Sequence, residues 1–293
     1  MDRYSKVLKE STVPVDREII KKDLEKIAEK LPGLKTPEVY TKIFNCIDLT
    51  TLNTTDSQTS VEAFVRRVND FDNEYPQYPN VAAICVFSNF AGVVKSSLEV
   101  TGVNIAVVAG GFPSGQTFTE VKVADSALAV AEGADEVDVV MNLGLLLDEN
   151  YEELCDELIE VKHAVKDCHL KVIIESGALK DAKLIRDASL LAMYSDADFI
   201  KTSTGKVYEG ASPEAAYVMC RSIKEYYEKT GRKVGFKAAG GVRSSEDALM
   251  YYAIVKEVLG EDWLDNTLFR IGASSLANAI LAKMLDEEEV KYF

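Results

Sequence analysis

Eight short apolar runs recur along the chain, and longer amphipathic stretches separate them. The runs are rich in Val, Ile and Ala, as expected for parallel strands that alternate with helices. Eight such units in 293 residues predict a closed (β/α)₈ barrel, a fold that typically occupies about 250 residues. An open doubly wound sheet is the alternative. The runs are KIFNCIDLT, VAAICVF, NIAVVAG, ADEVDVVMN, LKVIIES, ADFIKTST, KVGFKAAG and LFRIGAS.

The beginning of the chain follows a different pattern. Apolar residues there lie at helical spacing, and prolines and a glycine then interrupt the pattern. We predict an N-terminal helical extension over residues 1–40, acting as a lid or an interface segment, and a barrel domain over residues 41–293. The helical positions are Ile19, Ile20, Leu24 and Ile27, and the interruptions are Pro32, Gly33 and Pro37.

The composition excludes several classes of protein. The 48 acidic and 33 basic residues give a net charge of -15, which opposes binding to nucleic acid or an anionic membrane. The five cysteines form no Cys-x-x-Cys pair, and no stretch approaches the roughly twenty apolar residues of a membrane span. The two histidines, His163 and His169, lack the further ligands of a metal site. We expect a soluble cytoplasmic protein without a metal.

Two serines are placed to cap helices after the sixth and seventh runs. Ser212 precedes Pro213, and Ser245 precedes Glu246. A serine hydroxyl accepts hydrogen bonds from the free amides at a helix start, and proline and acidic residues suit the first turn. We therefore predict that Ser212 and Ser245 are N-caps.

Side-chain alternation along each run separates the residues facing the helices from those facing the barrel interior. In four runs the apolar set faces outward and leaves a polar or reactive group inside; these groups are Asp48, Cys85, Asp138 and Lys237, and in the fourth run Glu136 points inward together with Asp138. In the sixth run Asp198 shares a face with Ile200, so alternation does not place Lys201. An unpaired ammonium is costly in a buried strand, so Lys201 should be paired, neutral or functional.

Two lysines on neighbouring strands suggest amine chemistry. A lysine attacks a carbonyl only when it is unprotonated, and burial together with a second cation lowers its pKa. Lys201 is then the nucleophile, Lys237 the neighbouring cation and Asp138 a carboxylate that transfers protons. The alternative is an internal ion-pair network in which both lysines pair with Asp138 and Asp48 and merely fill the barrel.

Glycine-bearing loops follow the last three runs. Amides exposed at glycines, a lysine and the start of the helix near Ser274 would together hold a phosphate at the end of a barrel where phosphates commonly bind. The loops are Thr204-Gly205-Lys206, Ala239-Gly240-Gly241 and Gly272-Ala273-Ser274-Ser275.

Seven short motifs between about Ile43 and Lys283 contain most of these residues. They are IDLTTLN at 47–53, AAIC at 82–85, GADEVDVV at 133–140, KVIIE at 171–175, ADFIKTSTGK at 197–206, GFKAAGGVR at 235–243 and RIGASS at 270–275. Together they resemble the deoxyribose-phosphate aldolases, class I aldolases that join acetaldehyde to glyceraldehyde 3-phosphate.

The resemblance implies a role for each matching residue. Lys201 would form the Schiff base, Lys237 would lower its pKa, and Asp138 would relay protons. Asp48 would lie near the substrate hydroxyls and Cys85 near the active site, although a small buried side chain without a role is the alternative for Cys85. The phosphate contacts would come from Gly205, Lys206, Gly240, Gly241, Ser274 and Ser275, and Thr204 would be a further substrate-binding residue.

The implied reaction is reversible cleavage of 2-deoxyribose 5-phosphate, without a metal or organic cofactor, and the resemblance also suggests a homodimer. Two alternatives stay open. One is another Schiff-base aldolase acting on a different sugar phosphate. The other is a catalytically silent barrel that only binds a phosphorylated metabolite.

Overall fold

The computed structural model describes residues 2–293, and its centre is a closed barrel of eight parallel strands in sequential order. The predicted barrel is confirmed, and the open sheet is wrong. The first run was placed too early, since residues 42–45 are helical and only its second half is strand. The strands are β1 Ile47–Thr50, β2 Ala83–Phe87, β3 Asn104–Ala109, β4 Glu136–Val140, β5 His169–Ile173, β6 Phe199–Lys201, β7 Gly235–Ala239 and β8 Phe269–Ala273.

Helices surround this barrel and precede it. None of those described in residues 2–293 is long and apolar enough to cross a membrane. They are α1 Arg3–Lys9, α2 Arg17–Ala28, α3 Pro37–Asn45, α4 Gln58–Glu74, α5 Ala91–Ser97, α6 Thr119–Ala131, α7 Leu143–Leu147, α8 Tyr151–Val165, α9 Ser176–Leu179, α10 Ala182–Tyr194, α11 Pro213–Thr230, α12 Ser245–Val258 and α13 Leu276–Leu285, with 3₁₀ turns at Leu31–Leu34, Ser88–Phe90 and Glu261–Trp263.

The N-terminal helices α1 and α2 lie against the outer helices of the barrel. The Thr12 amide and hydroxyl both donate to Glu225 on α11, at 2.7 and 2.8 Å, and the Tyr217 hydroxyl donates to Asp23 on α2. Within α2, Ile20 is buried on the face toward the barrel. Ile19 is half exposed, because it lies on the face turned away from the barrel. The extension is therefore fixed to the barrel by buried apolar and charged contacts.

One of the two predicted caps is correct. The Ser212 hydroxyl accepts from the amide of Ala215 at the start of α11. The prediction for Ser245 is wrong, because it is the first helical residue of α12 and its neighbour Ser244 is the cap. Ser244 and Asp247 form a reciprocal capping box. A serine followed three residues later by an acidic residue is the sequence signal for this motif.

The ring of Phe199 on β6 packs directly against Gly235 on β7. A methyl group added to Gly235 on β7 would lie only 2.2 Å from that ring. Gly235→Ala is therefore expected to lower the free energy of unfolding by about 1–3 kcal/mol, because a packed ring must shift. Denaturant unfolding measures this change. Gly33→Ala is the control, since its added methyl group meets no atom within 4 Å and should alter stability little.

Candidate active site

Lys201 ends β6 and is paired in register with Lys237 on β7, so both side chains enter the barrel at the same level. Both amines donate to the same carboxylate oxygen, Asp138 Oδ2, at 2.7 and 2.8 Å. A single oxygen thus holds the two nitrogens close together. The two lysines and the aspartate that the sequence singled out meet at one point inside the barrel.

Alternation failed for the sixth run because Asp198 lies outside the strand. It precedes β6 and pairs with Lys162 and Arg232 at the amino-terminal end of the barrel, on the outer side. Ile200 belongs to the outer core, and Lys201 therefore points inward. Side-chain alternation therefore holds for the three residues of β6.

A buried ion network continues below the three residues. Lys237 donates to Asp48 as well as to Asp138, and Arg270 on β8 donates to Asp48 at 2.7 Å. Lys171 on β5 contacts Asp138 at 3.1 Å and is also paired with Glu136. The ion-pair alternative is thus partly correct, since Asp138 and Asp48 do pair with the lysines.

Lys171 and Arg270 were overlooked in the sequence. Their apolar neighbours, such as Leu170 and Val172 in β5, face the helices, so the alternation rule places both cations inside. The signal was therefore present, and it applies equally to β8, where Phe269 and Ile271 flank Arg270.

The two lysines differ in the direction of their pKa shifts. Burial lowers the pKa of Lys201, and the charge of Lys237 acts in the same sense, although Asp138 opposes both. Burial would also lower the pKa of Lys237, but Asp138 and Asp48 outweigh it and raise that pKa. Lys201 is therefore the amine that gives up its proton more easily, and Lys237 stays cationic.

Asp138 is the common partner of three lysines. Burial alone would raise its pKa, but the charges of Lys171, Lys201 and Lys237 hold the pKa well below its usual range. The side chain is thus a carboxylate near neutral pH. Its two oxygens accept from different amines, which places it to pass protons between them.

A pocket of about 350 Å³ opens above this network at the carboxyl ends of the strands. Lys201 lines it, together with Lys206 and Arg243, and none of its lining residues, all within the described chain, is acidic. The pocket also includes every predicted phosphate contact. These are Gly205, Lys206, Gly240, Gly241, Ser274 and Ser275, and the predicted substrate contact Thr204 lines the pocket with them.

Close packing of the glycine loops shapes the pocket. Gly240 has a φ of +86°, and a methyl group there would meet the Cα atoms of Gly210 at 2.9 Å and Gly205 at 3.1 Å. Glycine is needed because only its backbone fits this approach. Ser275 precedes α13, and its side chain forms no capping bond in the described chain, so amides at this helix start are open to the pocket.

Thr204 has a structural partner. Its amide and hydroxyl donate to Glu175 at 3.2 and 2.6 Å, and Glu175 itself has a left-handed backbone with a φ of 47°. This contact fixes the loop that carries Lys206. Glu175 and Arg243 both lie in segments quoted from the sequence, but neither was assigned a role there.

Asp48 and Cys85 lie in the barrel rather than in the pocket wall. Asp48 is fully buried among cations, and Cys85 packs with Ala83, Ala106 and Val108 on the interior surface. Burial raises the pKa of the Cys85 thiol. Both residues lie among the inward side chains beneath the mouth of the barrel.

Comparison with known families decides how this site is classified. A family model described as DeoC/LacD family aldolase matches residues 42–279. The chain belongs to the DeoC/LacD aldolase family. The matched residues contain Lys201, Lys237 and Asp138, and they span all eight strands of this aldolase.

Curated relatives of the aldolase support a narrower group. This chain is 39% identical over 249 residues to the deoxyribose-phosphate aldolase of Homo sapiens, and the match covers 82% of this chain and 78% of that protein. It is 36% identical over 278 residues to the enzyme of the same name from Bos taurus, covering 91% and 87%. The resemblance to the deoxyribose-phosphate aldolases, and with it the assignment to class I aldolases, is confirmed.

A solved structure has the same fold as this aldolase. It is titled "Unique tetrameric structure of deoxyribose phosphate aldolase from Aeropyrum pernix" and superposes with a TM-score of 0.66 at 24% identity. The superposition covers 87% of this chain and 96% of that one. At this identity the likeness supports the barrel fold.

Proposed function

We propose that this aldolase reversibly cleaves 2-deoxy-D-ribose 5-phosphate to D-glyceraldehyde 3-phosphate and acetaldehyde through a Schiff base on Lys201. One observation carries the proposal: Lys201 is the only one of the seven charged groups in the buried network that lines the cationic pocket. The amine with the lowered pKa thus faces the space where an anionic sugar fits.

Lys201 acts as the nucleophile. Its neutral amine attacks the aldehyde carbon, and loss of water from the carbinolamine gives a protonated imine. Cleavage of the bond between C2 and C3 of the sugar sends its electron pair toward this imine at C1 and forms an enamine. The C3 hydroxyl loses its proton in the same step, and glyceraldehyde 3-phosphate is released. Protonation and hydrolysis of the enamine then yield acetaldehyde and restore the amine.

Asp138 and Lys237 support these steps. Lys237 stays cationic and so favours the neutral form of Lys201 before attack. Asp138 contacts both amines and moves protons during dehydration of the carbinolamine and protonation of the enamine, directly or through a water molecule. Asp48 accepts from Lys237 below the pocket, and Cys85 packs on the interior surface of the barrel beneath it.

The proposed phosphate site is the part of the pocket that the glycine loops form, above the buried network that contains Asp138. Amides at Gly205, Gly240 and Gly241 and the start of α13 at Ser274 and Ser275 supply donors for an anion. Lys206 supplies positive charge, which a protein with a net charge of -15 must provide locally.

Product analysis with the purified chain tests the function. Incubation with 2-deoxyribose 5-phosphate should release acetaldehyde and glyceraldehyde 3-phosphate in equal amounts. Borohydride reduction in the presence of acetaldehyde should add an ethyl group to Lys201. An adduct without cleavage of this sugar phosphate would favour a different substrate, and absence of both would favour a barrel that only binds a phosphorylated metabolite.

Lys206→Met is expected to raise the KM for 2-deoxyribose 5-phosphate about tenfold or more with little change in kcat. A hydrogen bond to a charged group contributes about 1.5–3 kcal/mol, which corresponds to a change of about tenfold or more in binding. Lys206 lines the pocket and is exposed, whereas Lys201 is buried. Steady-state kinetics measure the change.

Lys206 also donates to the carbonyl oxygen of Leu52, so a general loosening of the loops must be separated from loss of phosphate binding. Cleavage of unphosphorylated 2-deoxyribose should be the same in Lys206→Met and the wild type. Lys291→Met, which alters a lysine on the exposed tail, is the control. An equal loss with both sugars would remove Lys206 from the phosphate site.

We further infer a homodimer in the cytoplasm. All five cysteines, each within the described residues, are free thiols, as suits a reducing compartment.

The exposed face of α6 and the residue before it present Phe118, Val121 and Leu128 to solvent, and such an apolar patch favours association of two subunits. Sedimentation of the purified chain tests the number of subunits.

A further inference from the structure

The ion network extends well below the catalytic lysine and ends at the amino-terminal side of the barrel. Its seven groups are all buried: the carboxylates Asp48, Glu136 and Asp138, and the bases Lys171, Lys201, Lys237 and Arg270. No part of the mechanism above uses Glu136 or Arg270. Their position in the network nevertheless links them to Lys201 through shared partners.

Arg270 and Glu136 form the lower layer of the network. Arg270 donates to both oxygens of Glu136, at 2.7 and 3.0 Å, and to Asp48 at 2.7 Å. Its Nε atom also donates to the backbone carbonyl oxygen of Asn266. Glu136 also pairs with Lys171. His169 lies 3.7 Å from Glu136 at the lower rim and is partly exposed.

The bases differ in how many carboxylates they contact. Lys171 has three within 4 Å, and Lys237 and Arg270 each have two. Lys201 has Asp138 alone, and it shares that oxygen with Lys237. The other titratable group facing Lys201 from the barrel wall is the Cys85 thiol.

Charge balance then selects the base that loses its proton. Three carboxylates neutralise three cations, and a fourth cation would leave one positive charge in a buried volume, which is unfavourable. Lys201, with the fewest carboxylate partners, is the base whose deprotonation restores neutrality at the least loss of ion pairing. Arginine does not deprotonate in proteins, so Arg270 is a fixed charge in this balance.

We propose that Arg270 and Glu136 are positioning residues that set the protonation state of Lys201 through the charge balance of the buried network. The inference deepens the proposed function and rests on the role given there to Lys201. Neither residue lines the pocket, so both act through Asp48, Asp138 and the lysines.

The two residues should act in opposite directions. In Arg270→Gln the three carboxylates face only three lysines, so a protonated Lys201 completes the balance and its pKa rises. In Glu136→Gln one carboxylate is lost, the network is already positive with Lys201 neutral, and the pKa falls. The double variant removes one charge of each sign and should return Lys201 to its wild-type behaviour.

Competitive labelling measures the protonation of Lys201 without relying on turnover. Trace acetic anhydride is applied across a pH series, and mass spectrometry compares acetylation of Lys201 with that of the exposed Lys233. The acid limb of Lys201 labelling should move up by about one pH unit or more in Arg270→Gln and down by a similar amount in Glu136→Gln. Arg270→Lys keeps the charge and should hold the limb near its wild-type position.

The acid limb of kcat/KM for 2-deoxyribose 5-phosphate should move with the labelling. A structural role alone would lower activity without opposite shifts, and shifts in the same direction, or none, would overturn the proposal. If Arg270→Gln does not fold, the proposal is still tested by the downward shift in Glu136→Gln and by the return to the wild-type position in the double variant. If the variants show the labelling shifts but the wild-type chain does not cleave the sugar phosphate, the proposed function is refuted and the inference about the network stands.

Discussion

An alanine at position 201 is expected to lower the rate of sugar-phosphate cleavage by about four orders of magnitude or more, while the chain stays folded. Lys201 is the one amine of the network that opens into the pocket, so no neighbour replaces it. Burial already disfavours its charged form, and Asp138 keeps Lys171 and Lys237 as partners. The free energy of unfolding should therefore change by no more than about 2 kcal/mol.

Initial rates and denaturant unfolding test the two halves of this expectation. After borohydride reduction with acetaldehyde, the wild type should carry an ethyl group on Lys201, and Lys201→Ala should carry none. Lys233→Ala removes an exposed lysine just before β7 and should keep both the rate and the adduct. Cleavage above about one per cent of the wild-type rate in Lys201→Ala would place the nucleophile elsewhere.

Asp138→Asn is expected to reduce both turnover and stability, in contrast to Lys201→Ala. The asparagine keeps the shape of the side chain but removes the charge that three lysines share. Loss of proton transfer should lower kcat by about 10²- to 10⁴-fold. Lys171 and Lys237 also lose a buried counter-charge, so the free energy of unfolding should fall by about 3–5 kcal/mol.

Asp198→Asn is the matched control for this variant. Asp198 also pairs with two cations and accepts from the Leu170 amide, but it is partly exposed at the other end of β6. Its loss should therefore cost less stability than the loss of Asp138 and leave kcat unchanged. Stopped assays and thermal or denaturant unfolding measure both quantities. Turnover within tenfold of the wild type, together with unchanged stability, would show that Asp138 has neither role.

The alternation of side chains predicted most of the inner surface of the barrel. It placed Asp48, Asp138 and Lys237 inside, and the structure has all three there. It would have placed Lys171 and Arg270 inside as well, had those runs been tested in the same way. For Lys201 it gave no answer, because the sequence does not show that β6 has only three residues and that Asp198 precedes it.

Boundaries of helices and loops were less predictable. The alternating run that begins at Lys42 is half helix, because its apolar residues suit the buried face of α3 as well as a strand. Thr204 was assigned to the substrate from its motif, yet its hydroxyl is already bound by Glu175 from the neighbouring loop. That contact depends on the left-handed backbone at Glu175, which its own sequence neighbourhood does not signal.

Local sequence fixed the number of strands, the faces of their side chains and the glycines at the pocket, because strand alternation and turn geometry depend on near neighbours. Barrel closure decided which inward groups meet. Asp138 lies 63 residues from Lys201, and Lys237 lies 189 residues from Asp48, yet each pair is in contact. A lysine loses its proton according to how many carboxylates and cations surround it. Those neighbours come from separate strands, so only the closed barrel lowers the pKa of Lys201 and raises that of Lys237.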